Sequence, residues 1–477
     1  MANAETFLWH DYETFGADPR RDRPCQFAAI RTDVRLEPVG EPVVWYCQPT
    51  SDVLPTPEAC LITGITPQLA LERGVPEYEF ANRVFDLMST PGTCSVGYNN
   101  FRFDDEVSRF LFWRNFIDPY AREFKNGNSR FDLIDVLRLT RALRPDGIAW
   151  HDNDDGWPGF RLEDLARANG FPTDRAHDAL ADVENTIAMA RLVASAQPKL
   201  WQWALSLRDR RQAERLLSSG NSLLHASSRF PAVEFCIAPV VPLFRHPDIR
   251  TQWLVWNLRH SPEPFFDHDA EMLADLYWTP QRDLPEDLVR LPVKWIRTNR
   301  CPMLSPMNVL DGAARRRTAI DPQQSAAHAA LLAGAPEFVA RLGRAFGEAR
   351  RGVSQDPETA LYDGFVPNGD RALAERVRRM SPDEIAALLD GGAGPFADDR
   401  LNDLMVHFIG RHAEERLDPE HQTEWHEYRA RKLCRDPELA SIRIDEYRER
   451  VAALAAQHPE RADVLEALAA WPDRLGL

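Results

Sequence analysis

Apolar and polar positions along the first fifty residues alternate in short runs that read as β-strands. Three are predicted, at Thr6 to His10, Gln26 to Thr32 and Val43 to Gln48, with Gly, Asp and Pro between them. A fourth short run, Thr93 to Val96, leads into Gly97-Tyr98-Asn99-Asn100. The pattern then changes to a helical period over about 104–116, and again over 131–143, 161–169 and 178–195. Thr66 followed by Pro67 reads as an N-cap and first helical residue, and Gly170 and Pro172 stop the third helix. Strands first, then strands alternating with helices, predict a mixed α/β domain over residues 1–197. Residues 198–350 carry strand-like runs at Val233 to Ala238, Thr251 to Leu258 and Val293 to Arg297, with frequent prolines and a helical end from Ala326 to Arg350. From 351 to 477, Leu and Ala recur at helical spacing between Arg and Glu, which predicts an all-helical domain.

Composition narrows the picture. A chain of 477 residues with 44% hydrophobic positions can bury several cores. No run of about eighteen apolar residues occurs, so no membrane span is expected. The N-terminal residues lack the basic-then-apolar pattern of a secretory signal, and the seven cysteines form no CxxC pair. Both features fit reduced thiols in a cytoplasmic protein. The formal charge of −16 lowers the expectation of a nucleic-acid partner without excluding one, because binding depends on the local field.

The chemistry is concentrated in a few acids. Asp11 and Glu13 stand two residues apart at the end of the first strand, so they share a face. Two carboxylates so placed repel each other and are costly to desolvate unless a cation joins them. Alone, the pair reads as a solvated strand end. Asp104 comes at a strand-to-helix passage, and Asp182 follows His177 in His177-Asp178-Ala179-Leu180-Ala181-Asp182. With Asp178 as N-cap, Ala179 and Asp182 share one helical face. Taken singly, Asp104 reads as an ordinary acid of a first helical turn, His177 as a capping or surface histidine, and Asp182 as a surface carboxylate. Together they supply what phosphodiester hydrolysis by two Mg²⁺ ions roughly 3.5–4 Å apart requires. In that reading Asp11 bridges the ions, Glu13 and Asp182 complete one site, Asp104 supports the other partly through water, and His177 accepts the proton of the attacking water. Asp152-Asn153-Asp154-Asp155-Gly156-Trp157 is not a calcium loop, because Gly and Trp fall where an EF-hand needs an oxygen ligand and Gly.

The order Asp-x-Glu, Asn-x-x-Phe-Asp, His-x-Ala-x-x-Asp resembles the DEDDh exonucleases of the ribonuclease-H-like fold. The words His10-Asp11-Tyr12-Glu13-Thr14-Phe15-Gly16, Leu61-Ile62-Thr63-Gly64-Ile65-Thr66-Pro67, Gly97-Tyr98-Asn99-Asn100, Arg102-Phe103-Asp104-Asp105-Glu106, Asn128-Ser129-Arg130 and Asn299-Arg300-Cys301-Pro302 resemble the bacterial exodeoxyribonuclease I family. The resemblance is dense to about residue 195 and looser afterwards. It implies a ribonuclease-H-like exonuclease domain with a mixed sheet, a small Src-homology-3-like β-barrel and a helical third domain. It implies a magnesium-dependent 3′→5′ exonuclease, with Mn²⁺ as a substitute, that releases nucleoside 5′-monophosphates from single-stranded DNA in repair and recombination. By the same resemblance Arg109, Tyr120, Phe124, Arg138 and Arg161 fall at DNA-contacting positions, and Glu13 approaches the 3′ end. Each of these also has a plain packing or surface reading. The family further implies docking of the acidic tail of single-stranded DNA-binding protein, for which Arg144, Trp203 and Arg315-Arg316-Arg317 are candidates, and a monomer is expected. Two rival readings remain at this level: a related enzyme acting on RNA, and a scaffold that binds strands without cutting.

Overall fold

The computed structural model describes residues 5–174, 178–346, 354–389 and 394–477. Strands β1 (Thr6–Thr14), β2 (Pro24–Thr32) and β3 (Val43–Tyr46) are followed by helices α1 (Pro57–Thr63), α2 (Pro67–Arg73) and α3 (Glu77–Met88). Then come β4 (Thr93–Gly97), α4 (Asp104–Arg114), the short α5 (Ala121–Phe124), β5 (Ser129–Asp132), α6 (Leu133–Leu143), α7 (Leu162–Ala168) and α8 (Ala179–Ala196). The chain divides into two compact units. One holds residues 1–129, 174–184 and 351–477; the other holds 130–173 and 185–350.

In the first unit β1 is a central strand, antiparallel to β2 and parallel to β4, with β3 outside β2. Its first half, Phe7-Leu8-Trp9, is buried throughout, as a strand covered on both faces should be. The second half alternates, with His10, Tyr12 and Thr14 buried and Asp11 and Glu13 partly open. Tyr12 packs with Phe27, Phe80 and Phe112, and Thr66 caps α2 by accepting the Leu69 N–H.

The C-terminal segment completes this unit. Phe110, Trp113 and Phe116 share a core with Leu404, Phe408 and Trp425. Phe15, Cys25 and Cys60 share another with Leu433, Tyr447 and Leu468. Between these cores lies a buried ionic cluster. Arg23 reaches Asp52 at 3.0 Å, Glu358 at 2.6 Å and Glu77 at 3.5 Å, and Arg114 reaches Glu77 at 3.0 Å. Lys432 bonds Asp52 at 2.9 Å and Glu358 at 2.8 Å, and Arg411 also pairs with Glu358. Such charges stay ionised only because each faces an opposite partner. Against the opposing pull of burial, Arg114, Arg23 and Arg411 hold Glu77, and Arg23, Lys432 and Arg411 hold Glu358, below the usual carboxylate range. Arg114 is itself pulled down by burial and by Arg23 beside it.

The second unit contains five antiparallel strands: β6 (Leu223–Ala226), β7 (Ile237–Arg245), β8 (Gln252–Asn257), β9 (Val293–Arg297) and β10 (Met303–Pro306), in the order β10-β6-β7-β8-β9. The strand expected from Val233 begins only at Ile237. Phe235 and Cys236 have φ of 58° and 52°, left-handed conformations that no pleated strand admits, and Ala232–Glu234 is a 3₁₀ turn. The helix expected from 131 starts at Leu133, because Ser129–Asp132 is a strand and Asp132 caps the helix through the Ile134 N–H. The helical end is two helices, Pro322–Ala333 and Pro336–Ala345. Among the described residues no helix is long and apolar enough to cross a membrane.

Candidate active site

The site is built where β1 runs past the end of its parallel partner. β4 pairs with Thr6 to Trp9 and ends at Gly97, which leaves Asp11 and Glu13 beyond the carboxyl ends of the parallel pair. Crevices outside the carboxyl ends of parallel strands are where open α/β sheets place ligands. The turn that follows β4 passes close to β1. A Cβ at Gly97 would lie 2.7 Å from the Asn100 Cβ and 3.2 Å from the His10 carbonyl oxygen, so a side chain has no room there. This turn delivers Asp104 as the first residue of α4, where the helix N-terminus favours an anion. Asp104 Oδ1 accepts the Tyr12 N–H at 3.2 Å, which ties it to the peptide between the two β1 carboxylates. Below it, Asp105 forms a buried pair with Arg122 at 2.5 Å.

Asp182 arrives on the first turn of α8. Asp178 caps that helix by accepting the Ala181 N–H at 3.1 Å, as the spacing predicts. Ala179 is fully buried on the face it shares with Asp182. Asp11, Glu13 and Asp182 offer ligand oxygens that all lie within 4.8 Å of one another. Asp104 lies outside that tight group yet acts electrostatically on Asp11 and Glu13. His177 lies outside the described residues.

The carboxylates strain against their surroundings. Burial first, then the charges of Asp104, Glu13 and Asp182, push Asp11 well above the ordinary carboxylate range. Burial, Asp182, Asp104 and Asp178 push Glu13 up to about 9. Burial also lifts Asp104 to about 7, although its own backbone N–H and that of Tyr12 work the other way. A group of this kind keeps its charge at neutral pH when a cation sits among the oxygens. An all-oxygen donor set suits a hard divalent ion.

The proposed DNA contacts divide between the units. In the first, Phe124 is 64% exposed. Arg109 is buried: Nε and Nη2 donate to Glu123 at 2.8 and 3.2 Å, Nη1 donates to Glu106 at 2.7 Å, and its carbon lies 5.2 Å from the centroid of the Tyr120 ring. In the second, Arg138 is mostly buried, bonded to Asp135 at 2.6 Å and set over Phe160. Arg161 has a side chain 75% exposed. Sequence reasoning missed Glu106, Glu123 and Tyr362 as partners of Arg109, and Tyr12 as the amide donor to Asp104. Three consecutive acids at 104–106 read as a first-turn pattern, and nothing in the sequence says which of them turns inward.

Three family models match in order: Exonuclease over residues 8–190, Exonuclease I SH3-like domain over 208–348, and Exonuclease I C-terminal domain over 355–475. A relative from Escherichia coli, Exodeoxyribonuclease I, is 40% identical over 97% of this chain and 96% of its own length. The chain belongs to the exonuclease I family. A moderately thermophilic exonuclease I from Methylocaldum szegediense matches with a TM-score of 0.93 at 43% identity, covering 99% of this chain and all of that one. The zinc-bound complex of E. coli exonuclease I with single-stranded DNA matches with a TM-score of 0.91 at 38% identity, over 99% of this chain and 100% of that one. The first domain is therefore an exonuclease domain of ribonuclease-H-like fold, the second is Src-homology-3-like and the third is helical, as the words in the sequence imply. Exonucleases of this family depend on divalent metal.

Proposed function

We propose that Asp11, Glu13, Asp104 and Asp182 hold two Mg²⁺ ions and, with His177, hydrolyse the 3′-terminal phosphodiester of single-stranded DNA, releasing nucleoside 5′-monophosphates. The enzyme is a 3′→5′ exodeoxyribonuclease. The observation that carries the residue assignment is the convergence of the Asp11, Glu13 and Asp182 oxygens within 4.8 Å, in surroundings that penalise their charge. Bound divalent metal supplies a water activated toward attack and neutralises charge building on the phosphate. Asp11, Glu13 and Asp182, whose oxygens converge, would hold the ions directly, with Asp104 in support. The Tyr12 amide, at 3.2 Å from Asp104 Oδ1, fixes the orientation of that carboxylate. His177 takes the proton of the attacking water. Exposed Phe124 offers a surface on which a base can stack, and exposed Arg161 a charge for the DNA backbone.

The tail of single-stranded DNA-binding protein is the proposed protein partner. Within the second unit, Arg144 bonds the Val309 carbonyl at 2.8 Å and Asp311 at 3.2 Å, while Arg317 donates to the Ala142 carbonyl at 2.8 Å. Arg144 and the 315–317 run thus form one basic ridge, suited to an acidic peptide. A cytoplasmic monomer completes this reading.

The test uses 5′-labelled single-stranded DNA, duplex DNA and RNA of one length, with Mg²⁺ or with chelator. Stepwise 3′ shortening of the single-stranded DNA alone, abolished by chelator, is expected; shortening of RNA instead would overturn the substrate assignment. Asp182→Ala should lower turnover by about 10³-fold or more, as loss of a group acting in the transition state does, while filter binding retains most of the DNA affinity. Turnover near that of the parent would remove Asp182 from the metal site.

A further inference from the structure

Two of the three elements that carry the site carboxylates, β1 and α4, are held by one short stretch of the C-terminal segment. Glu13 stands just before the hairpin between β1 and β2. Two residues beyond it, the Phe15 N–H donates to the Arg23 carbonyl at 2.9 Å. The Arg23 guanidinium is in turn held by Glu358 at 2.6 Å. Asp104 heads α4, and that helix is gripped by the neighbouring residues. Trp113 Nε1 donates to the Pro357 carbonyl at 2.8 Å. The Tyr362 hydroxyl donates to Glu106 and accepts from Arg109 Nη1 at 3.2 Å, and its ring meets Phe110 edge-on. Pro357 and Glu358 are adjacent, so the same peptide anchors the hairpin and the helix.

The stretch is itself rigidly set. Asp356 Oδ1 accepts the Glu358 N–H at 3.0 Å and the Tyr428 hydroxyl at 3.1 Å. The Glu358 side chain is also held by Lys432 and Arg411. We propose that residues 357–362 form a positioning strap that sets the separation between Asp104 and the Asp11/Glu13 pair, and with it the cation affinity of the site. The proposal rests on the metal-site reading given above. Glu358 acts through Arg23, and Tyr362 through Glu106 and Arg109, so both are positioning residues.

Two substitutions cut the strap without removing its bulk. Tyr362→Phe keeps the ring against Phe110 and deletes the hydroxyl; Glu358→Gln keeps the shape and deletes the charge. Mn²⁺ affinity is measured on the DNA-free full chain by electron paramagnetic resonance, and kcat and KM on a single-stranded oligonucleotide. Each variant is expected to bind Mn²⁺ about tenfold more weakly, as loss of an outer support does. Each should lower kcat about tenfold or more, since sub-ångström misplacement of reacting groups is costly, with KM within about twofold. Ile385→Ala, a buried change elsewhere in the C-terminal segment, should reduce thermal stability while leaving Mn²⁺ affinity intact.

Parent-like Mn²⁺ binding in the folded strap variants, alongside loss of binding in Asp182→Ala, would overturn the strap alone. So would an equal loss of Mn²⁺ affinity in Ile385→Ala. Retention of Mn²⁺ by Asp182→Ala would overturn the site reading and the strap with it. Should Glu358→Gln fail to fold, Tyr362→Phe decides the matter.

Discussion

A carboxylate in this molecule takes its role from what stands beside it. Burial works against the charge of both Glu77 and Glu13, but Glu77 faces Arg114 and Arg23 whereas Glu13 faces Asp182 and Asp104. The first is a structural anion and the second waits for a cation. The Asp-x-Glu spacing made Asp11 and Glu13 legible as a pair, because strand geometry alone puts them on one face. Arg109 shows the limit of such reading. An arginine on a helix can serve a phosphate or a protein carboxylate, and its two glutamates come from positions three and fourteen residues away. Phe124 is 64% exposed, an open face on which a base can stack. Phe124→Ala should therefore raise KM for single-stranded DNA by roughly 5- to 100-fold, the range of one lost base stack, with little change in melting temperature. Steady-state kinetics on an oligonucleotide beside a thermal melt checks both halves.

At the scale of elements, the strands that build the site were readable where apolar runs ended in Gly, Asp or Pro. β1 runs four residues past the expected end at His10, because Asp11 to Thr14 keep pairing with β2 while their polar face opens. Hydropathy ends where pairing does not. Several short pieces left no periodic signal, among them α1, β6 and β10, each seven residues or fewer. The turn between β4 and α4 matters more than its length suggests. The Asn100 carbonyl accepts the Asp105 N–H at 2.9 Å, so any shift at Asn100 moves the first turn of α4 and Asp104 with it. Gly97→Ala should cost about 1–3 kcal/mol, the usual range for overpacking, and should lower turnover as well. A Gly97→Ala protein with parent-like melting and turnover would show that the turn relaxes freely.

For the whole molecule, the three family segments follow one another in sequence, yet the first and third share cores and an ionic cluster. That interleaving could not be read from composition, because Arg23, Glu77, Glu358 and Lys432 look like surface charges when taken singly. The cluster makes a pH signature. Glu77 titrates at about 2 in the folded protein against 4.5 ordinarily. Its stabilisation is thus present above the ordinary value and is lost as the pH falls toward 2. Glu77→Gln should cost about 3–5 kcal/mol near neutral pH, as breaking a buried pair does, and should make the acid-side fall in melting temperature shallower. Melts from pH 7 down to about 2.5 would reveal the slope; parallel curves for parent and variant would assign the acid sensitivity elsewhere.

The shared cores also bear on how the enzyme is born. A ribosome adds roughly 5–20 residues per second, and Phe15, Arg23 and Trp113 emerge long before Glu358, Leu433 and Leu468, the residues that enclose them. For some tens of seconds the growing chain carries Asp11, Glu13, Asp104 and Asp182 without the wall behind them. A nuclease assembled in this order is expected to be silent toward DNA while it is being made. Ribosome-bound chains arrested before residue 357 should leave labelled DNA intact, and cleavage by such chains would show that the N-terminal part closes its own core.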